Sequence, residues 1–257
     1  MHFLAVGDLV AVLLLGAALG FFGGLFGIGG GIIAIPLLAL AFGMDQALAQ
    51  GTSLAMMVPI LAVGLWRYSR KRPIPWKSAC LIGLLASVTT YAVALFATRL
   101  DPDILRSVFG AFLLFLALQM LLARHAHQPH AVRSLLSERL MPVVGVAAGT
   151  SMGLLGVGGG LVATPLLTGL FGQRQALAQS LSMALVTPCA VVALATYSVA
   201  NCVDWSMGLP LAFGGLLTVS AGVAVAHKLP ERKMRVLFAV MLMGTALWLL
   251  IKPYVVG

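Results

Sequence analysis

Two glycine-rich interruptions are the parts of this chain whose residue types and spacing best suit chemistry. The first reads Gly-Ile-Gly-Gly-Gly from Gly27 to Gly31, and the second reads Gly-Val-Gly-Gly-Gly from Gly156 to Gly160. The fifth residue after each run is a proline. Glycine lets backbone N–H groups approach a ligand, and a helix starting after the break directs its positive dipole end at that ligand. The pattern predicts a small-anion site, although tight helix packing alone would also use such glycines. The glycines predicted to bind are Gly27, Gly29, Gly30, Gly31, Gly156, Gly158, Gly159 and Gly160.

Hydroxyl and amide side chains follow each break at matching positions, where the next helix is expected to begin. Such groups can donate hydrogen bonds to the oxygens of an anion. Helix capping and interhelical hydrogen bonding are the alternative roles for any one of them. The predicted substrate-binding members are Gln50, Thr52, Ser53, Gln179, Ser180 and Ser182, and Gln46 and Gln175 belong to the same doubled set.

The elements that must position these residues are membrane helices. The chain has 257 residues, of which 61% are hydrophobic and only 9% charged, whereas a soluble domain carries about 25% charged residues. Its length allows roughly eight to ten apolar segments of about 20 residues. In lipid, non-helical backbone persists only where it is buried in protein or lines a cavity. Matching breaks in two halves therefore point to the binding site of a transporter.

The chain is a duplication. Residues 20–59 align without gaps on 149–188, with 21 identities in 40 positions. We therefore predict an all-α polytopic membrane protein made of two homologous repeats, residues 1–123 and 140–257, joined by a basic cytoplasmic linker at 124–139. Each repeat is expected to contain a glycine-broken first segment followed by three transmembrane helices.

The distribution of Lys and Arg favours inverted repeats. If each broken segment enters the membrane and turns back, 13 basic residues lie on the cytoplasmic side and 3 outside. If each crosses once, the repeats are parallel and the counts are 9 and 7. Because cytoplasmic loops are enriched in Lys and Arg, the first arrangement is predicted, with both termini outside.

The segments directly after the breaks are short. Residues 31–42 and 160–171 each hold twelve residues, and a helix of that length spans about 18 Å, less than the roughly 30 Å hydrocarbon core. The sequence leaves open whether these segments tilt across the membrane or are re-entrant.

The doubled motif resembles the signature of the TauE/SafE family of membrane proteins, also called sulfite exporters. The resemblance rests on the glycine break, its proline and the following Ala47-Leu-Ala-Gln-Gly-Thr-Ser53. The second copy, Ala176-Leu-Ala-Gln-Ser-Leu-Ser182, keeps the serine and replaces the Gly-Thr. The resemblance implies a secondary transporter or facilitator in the bacterial inner membrane for small anionic sulfur compounds, with export favoured. Sulfite, thiosulfate and sulfonates such as sulfoacetate are the candidate substrates.

Enzyme and metal chemistry are not expected. Gly149-Thr-Ser-Met-Gly153 fits a GxSxG pattern but lies in a membrane segment, and its counterpart in the first half lacks the serine. His125, His127 and His130 lie in the polar linker without carboxylate or cysteine support. Tyr197 and other aromatic residues near segment ends are predicted to mark membrane interfaces.

The expected partners are a small anionic sulfur-containing substrate and membrane lipid. We expect no cofactor. Nucleic acid is not expected as a partner either, because the net charge of +9 comes from basic residues in loops. A homodimer is left open. The alternative to a transporter is a non-transporting membrane assembly or sensor protein.

Overall fold

A computed structural model describes residues 6–26, 30–71, 76–122, 140–157, 159–173, 175–226, 239–240 and 242–249. Its described elements are helices, and residues 242–249 near the end of the chain are also helical. The prediction of an all-helical membrane protein is confirmed. The helices are α1 (Val6–Phe26), α2 (Gly31–Ala41), α3 (Gln46–Lys71), α4 (Trp76–Ala97), α5 (Pro102–Leu122), α6 (Met141–Leu155), α7 (Gly159–Gly169), α8 (Gln175–Val199) and α9 (Trp205–Ala226).

Several helices are suited to a bilayer. In the described part of the chain, five are long and apolar enough to cross a membrane, in α1, α3, α4, α5 and α8. Large apolar side chains project from the bundle, with Leu84 and Leu217 each 68% exposed. An exposed apolar surface of this kind is stable against lipid, so this is a multi-pass membrane protein.

The short helices α2 and α7 end in the same way. Gly43 follows α2 with φ 63°, and Gly172 follows α7 with φ 61°. Beyond them, the Met44 amide donates to the Leu38 carbonyl at 3.3 Å and the Gln173 amide donates to the Leu167 carbonyl at 3.0 Å. In each turn a left-handed glycine lets the chain reverse, so that an amide six residues further along bonds back to the last turn of the helix. Each short helix has 11 residues, and the chain then turns into the next helix.

Two glycine seams join the halves of the molecule. In the first, Gly16 and Gly20 of α1 lie directly against the backbone of Leu211 and Gly215 of α9. Only glycine allows backbones to approach this closely, which is how membrane helices pack without a hydrophobic driving force. Since residue number rises along both helices from one contact to the next, α1 and α9 run in the same direction.

The second seam repeats the first between α6 and α4. A Cβ on Gly145 would lie 2.6 Å from the Ile82 carbonyl oxygen, and Gly149 lies against the backbone of Ala86. These positions are the counterparts, 129 residues apart in the chain, of the positions in the first seam. The first helix of each half therefore packs in parallel along the fourth helix of the other half.

The remaining contacts fix the direction of α3 and α8. A Cβ on Gly208 would lie 2.9 Å from Ala55 Cβ, and one on Gly215 would lie 3.0 Å from Ile60 Cδ1, so α3 runs parallel to α9. In the same way, Gly83 lies near Leu185 and the Ser87 hydroxyl lies 3.9 Å from Cys189 Sγ, so α8 runs parallel to α4. Residue number rises along α3 but falls along α8 between their contacts, because a Cβ on Gly51 would meet the Cys202 backbone and one on Gly64 would lie 3.2 Å from Met183 Cε. Helices α1, α3 and α9 therefore run one way, and α4, α6 and α8 run the other way.

Candidate functional site

The first break ends at a left-handed glycine. Gly30 has φ 81° and precedes α2, and its carbonyl accepts hydrogen bonds from the Ile33 amide at 3.1 Å and the Ala34 amide at 3.0 Å. The first amides of a helix have no carbonyl partner within the helix, and they point outward from its positive end. Gly31 begins the helix and is buried. Of the predicted site glycines, Gly27 and Gly29 lie outside the described residues.

Ser53 of α3 faces the start of α2. A Cβ on Gly31 would lie 3.1 Å from Ser53 Oγ and would also meet the Met57 thioether sulfur. Ser53 is fully buried, and its hydroxyl has no hydrogen-bond partner in the described protein. A serine hydroxyl and the amide end of a helix therefore lie side by side in the interior, both able to donate to an anion.

The second break is built differently. Gly156 has φ 65° and ends α6, with its amide donating to the Met152 carbonyl at 3.0 Å. The Val157 carbonyl accepts a hydrogen bond from Ser151 Oγ at 3.3 Å. Gly159 and Gly160 are the first two residues of α7. The fourth predicted glycine of this break, Gly158, lies outside the described residues.

The two breaks meet. A Cβ on Gly31 would lie 2.5 Å from Val157 Cγ1, and a Cβ on Gly156 would lie 3.1 Å from Gln50 Cβ. The start of α2, the end of α6 and the polar residues of α3 are therefore in direct contact. Among the predicted site residues, the structure brings together Gly30, Gly31, Gln50, Ser53 and Gly156.

Tyr197 joins this centre from α8. It is fully buried, and its hydroxyl lies 2.8 Å from Gln50 Oε1 and 3.1 Å from the Gly153 carbonyl, donating to these acceptors. The prediction that Tyr197 marks a membrane interface is wrong. Its role depends on a contact 147 residues away along the chain, which local sequence does not reveal.

The serine of the second half has a partner. Ser182 Oγ accepts a hydrogen bond from Thr164 Oγ1 of α7 at 2.9 Å. Next to it in the fold, a Cβ on Gly159 would lie 2.9 Å from Val186 Cγ2. Among the described residues, a Cβ on Gly160 would meet only that same atom, at 3.9 Å. The side chains of Gln179 and Ser180 lie outside the described residues.

Thr52 faces away from the breaks. It is fully buried, and its hydroxyl accepts a hydrogen bond from the Asp204 amide at 3.0 Å. The Asp204 carboxylate in turn caps α9, accepting from the Ser206 amide at 2.9 Å. This geometry gives Thr52 a structural contact, holding the start of α9 against α3.

The centre carries no formal charge in the part of the chain that the structure describes. The fully buried polar residues there are serine, threonine and glutamine, and none is ionisable at neutral pH. The described residues also contain no cluster of metal ligands. A separate groove between α1, α2 and α9 is mostly apolar, lined by residues such as Val12, Leu37 and Phe42, and its chemistry suits lipid. The centre therefore offers neutral hydrogen-bond donors to a small solute.

A multi-pass helical bundle whose centre is formed by two interrupted helices is typical of membrane transporters. Comparison with known proteins supports the same class. The model of the sulfite exporter TauE/SafE family matches residues 12–249, so the chain belongs to this family. It is a transporter rather than an enzyme. No solved structure matches the chain.

Relatives carry the same class name. The chain is 27% identical to a "probable membrane transporter protein" of Methanocaldococcus jannaschii, covering 93% of this chain and 94% of the relative. It is 25% identical to one of Xylella fastidiosa, covering 90% and 89%. A third, from Haemophilus influenzae, is 30% identical over 61% of each chain.

Proposed function

We propose that this protein is a secondary transporter or facilitator that moves small anionic sulfur compounds across the bacterial inner membrane, with export favoured. Sulfite, thiosulfate and sulfonates such as sulfoacetate are the substrate class. Support for this class comes from the family, whose name specifies sulfite export. The neutral, donor-rich centre is chemically consistent with it.

The anion binds near the middle of the membrane, between the two breaks. The observation that carries this proposal is the contact of Gly31 with Val157, beside the unpartnered Ser53 hydroxyl. Helix N-terminal amides and hydroxyls are preorganised donors that can replace water around an oxyanion. The proposed site retains the predicted glycines and polar residues except Thr52, which contacts the start of α9 instead. Gly31, Gln50 and Ser53 lie nearest the anion. Gln179 and Ser180 contribute from the second half, whereas Ser182 is bonded to Thr164 and holds α7 against α8.

Membrane potential supplies the driving force for export. An inside-negative potential favours the exit of an anion by about 2.3 kcal/mol per charge per 100 mV. No buried carboxylate for proton coupling occurs in the described residues. Efflux is therefore expected to respond to an imposed potential more than to a pH gradient.

The two halves form inverted repeats, with both termini outside. The helix directions support this arrangement, because α1, α3 and α4 run opposite to their counterparts α6, α8 and α9. The charge distribution supports it independently, because it puts most Lys and Arg residues on one side. Each broken segment then enters the membrane from one face and returns to it.

Cysteine labelling tests the topology. Single cysteines at positions 70 and 232, in a background without the native cysteines, should both react only after the inner membrane is permeabilised. Labelling of one of them in intact cells would restore the parallel arrangement.

Flux into liposomes tests the function. Purified protein should move sulfite, thiosulfate or sulfoacetate at rates well above those of empty liposomes. Sulfoacetate best separates potential from pH, since its sulfonate does not titrate near neutrality. Absence of flux for the whole panel, together with a co-purifying membrane partner, would favour the assembly or sensor alternative.

A further inference from the structure

Three residues of α3 form what we call the α3 polar face: Gln46, Gln50 and Ser53. Their spacing of four and then three residues places them on one side of the helix, over a length of about 10 Å. All three are completely buried. An apolar membrane helix would bury alanine or leucine at such positions, so this face requires a specific explanation.

The α3 polar face keeps hydrogen-bonding atoms without partners. These atoms are both side-chain polar atoms of Gln46, Nε2 of Gln50 and Oγ of Ser53. Native proteins rarely leave buried polar atoms unsatisfied, and an exception calls for a ligand or water at that place. The unpartnered atoms recur at each turn along this face of the helix.

Other buried polar side chains in the described chain behave differently. The Thr90 hydroxyl donates to the Gly149 carbonyl at 3.1 Å, and the Thr196 hydroxyl donates to the Val192 carbonyl at 2.9 Å. Ser151, Ser182 and Thr52 are also bonded. The fold therefore satisfies the other buried hydroxyls, and within the described part of the chain the deficit is confined to the α3 polar face.

The α3 polar face connects the protein surface with the proposed anion site. At one end, Gln46 follows the turn between α2 and α3, in which Gly43 and Asp45 are exposed. At the other end, Ser53 lies beside Gly31. Between them, Gln50 packs on Gly156 and holds the Tyr197 hydroxyl. The face thus runs from solvent to the contact between the two breaks.

We propose that the α3 polar face lines the route by which the anion passes between its central site and the membrane surface at the α2–α3 turn. This inference rests on the proposed function and adds the route and its specificity. Amide and hydroxyl groups can donate to the anion at successive turns without the tight binding that a lysine or arginine would give. Conduction needs such weak, repeated sites.

The second half carries the same spacing in sequence. Gln175, Gln179 and Ser182 lie 129 residues after Gln46, Gln50 and Ser53. Because α8 runs opposite to α3, its first residue lies toward the opposite face of the bundle. The equivalent route in that half would lead from the centre to the other side of the membrane.

Accessibility of substituted cysteines tests the route. In a background with Cys80, Cys189 and Cys202 replaced by alanine and flux retained, single cysteines replace Gln46, Gln50 and Ser53. Ala49 and Leu54, which are equally buried on the same helix, provide the matched controls. The probe is 2-sulfonatoethyl methanethiosulfonate, itself a sulfonate, added to intact cells.

The α3 polar face positions should react at least tenfold faster than both controls. They should also prefer this anionic reagent over its trimethylammonium analogue, and sulfoacetate should slow the reaction at position 53. Equal rates at all five positions, or no reaction at positions 46 and 50, would overturn the route. If the route reacts but wild-type protein moves no sulfur anion, the proposed function fails alone; flux without reaction along the face removes the route alone.

A stability measurement separates transport from packing. Gln46→Leu removes an unpartnered amide, so its Tm should equal or exceed that of the wild type, while sulfoacetate flux falls at least fivefold. Thr90→Val removes a bonded hydroxyl outside the route, so its Tm should fall while flux per folded protein changes less than twofold. A lower Tm for Gln46→Leu with unchanged flux per folded protein would assign Gln46 to packing and contradict the proposal.

Discussion

Ser53 and Ser182 occupy equivalent positions in the two halves, yet their surroundings differ. Ser182 accepts a hydrogen bond from Thr164, whereas the position equivalent to Thr164 in the first half is Ile35, which cannot donate one. Ser53 is left unpartnered beside Gly31. The two halves share the same helices, but Ile35 leaves the Ser53 hydroxyl available to the proposed ligand, whereas Thr164 bonds Ser182 and so links α7 to α8.

The two glycine breaks also differ, in how closely other residues pack around them. Gly31 of the first half is enclosed by Met57, Val157 and Ser53, while its counterpart Gly160 has, among the described residues, only Val186 within 4 Å of a Cβ. Met57, which faces Gly31, corresponds to the shorter Val186, which faces Gly160, so the described residues enclose the first break more tightly. The comparison teaches that sequence symmetry does not make the two breaks structurally equal.

Adding a methyl group at each break should give the largest difference in transport rate between the two halves. Gly31→Ala places a Cβ against Met57 and Val157, so we expect sulfoacetate efflux to fall more than tenfold. Gly160→Ala should lose far less, because its Cβ has ordinary van der Waals space. Initial efflux rates in liposomes and monodispersity in detergent provide the measurement.

A second change guards against simple misfolding in that experiment. Met57→Ala removes the flexible side chain nearest the new methyl group, so Gly31→Ala/Met57→Ala should recover monodispersity if folding was the problem. Equal flux losses for the two single glycine variants would contradict the asymmetry between the breaks.

Removing each serine hydroxyl should separate binding from stability. Ser53→Ala should raise the KM for sulfoacetate several-fold and leave thermal stability unchanged, since no hydrogen bond to a described residue is lost. Ser182→Ala should cost about 1 kcal/mol of stability, because Thr164 loses its acceptor, and it should change KM less. Concentration-dependent flux and thermal unfolding measure both effects, and the reversed pattern would refute the assignment.

Giving Ser53 a hydrogen-bond donor like the one that Ser182 has should raise the KM moderately. Ile35→Thr introduces the residue found at position 164, and a hydrogen bond to Ser53 would compete with the anion and raise KM about two- to fivefold. Ile35→Val is the matched control, since valine has the shape of threonine without its hydroxyl. Identical KM values for the two variants would show that Ser53 does not bind the substrate directly.

The smallest expected effect concerns the turns that follow the short helices. The first-half turn contains Asp45, and the equivalent residue of the second half is Arg174. Burial, and secondarily the Asp45 carboxylate, raises the pKa of the Cys202 thiol in the loop between α8 and α9. Cys202 should therefore alkylate more slowly than an ordinary exposed thiol at neutral pH and accelerate as pH rises.

Exchanging the charge tests the contribution of Asp45. Asp45→Arg gives the first turn the charge of the second, so it should lower the Cys202 pKa and speed alkylation at pH 8 about twofold. Maleimide labelling of a protein with Cys202 as its single cysteine measures this rate. A slower rate in Asp45→Arg would contradict the electrostatic cause.

Much of this architecture could be predicted from the sequence, because it depends on local patterns. The glycine runs locate the breaks, and twelve apolar residues before a turn predict the short helices α2 and α7. The contact between the breaks could be expected only from the repeat as a whole.

Other features depend on contacts between distant residues. The roles of Tyr197 and Thr164 follow from packing between helices, which a periodic pattern in the local sequence cannot predict. The glycine seams are an intermediate case. Glycines at positions 16, 20, 145, 149 and 153 recur every fourth residue, the spacing of close helix contacts in membranes, and this signal could have predicted a seam but not its partner.

The first seam also constrains how the protein is made. Gly16 and Gly20 of α1 pack on Leu211 and Gly215, which the ribosome adds about 195 residues later. At 5–20 residues per second, α1 waits in the bilayer for about 10–40 s before its partner helix exists. During biosynthesis the α1 surface at Gly16 and Gly20 must be covered by lipid or by a chaperone. The helix bundle is therefore completed only near the end of translation.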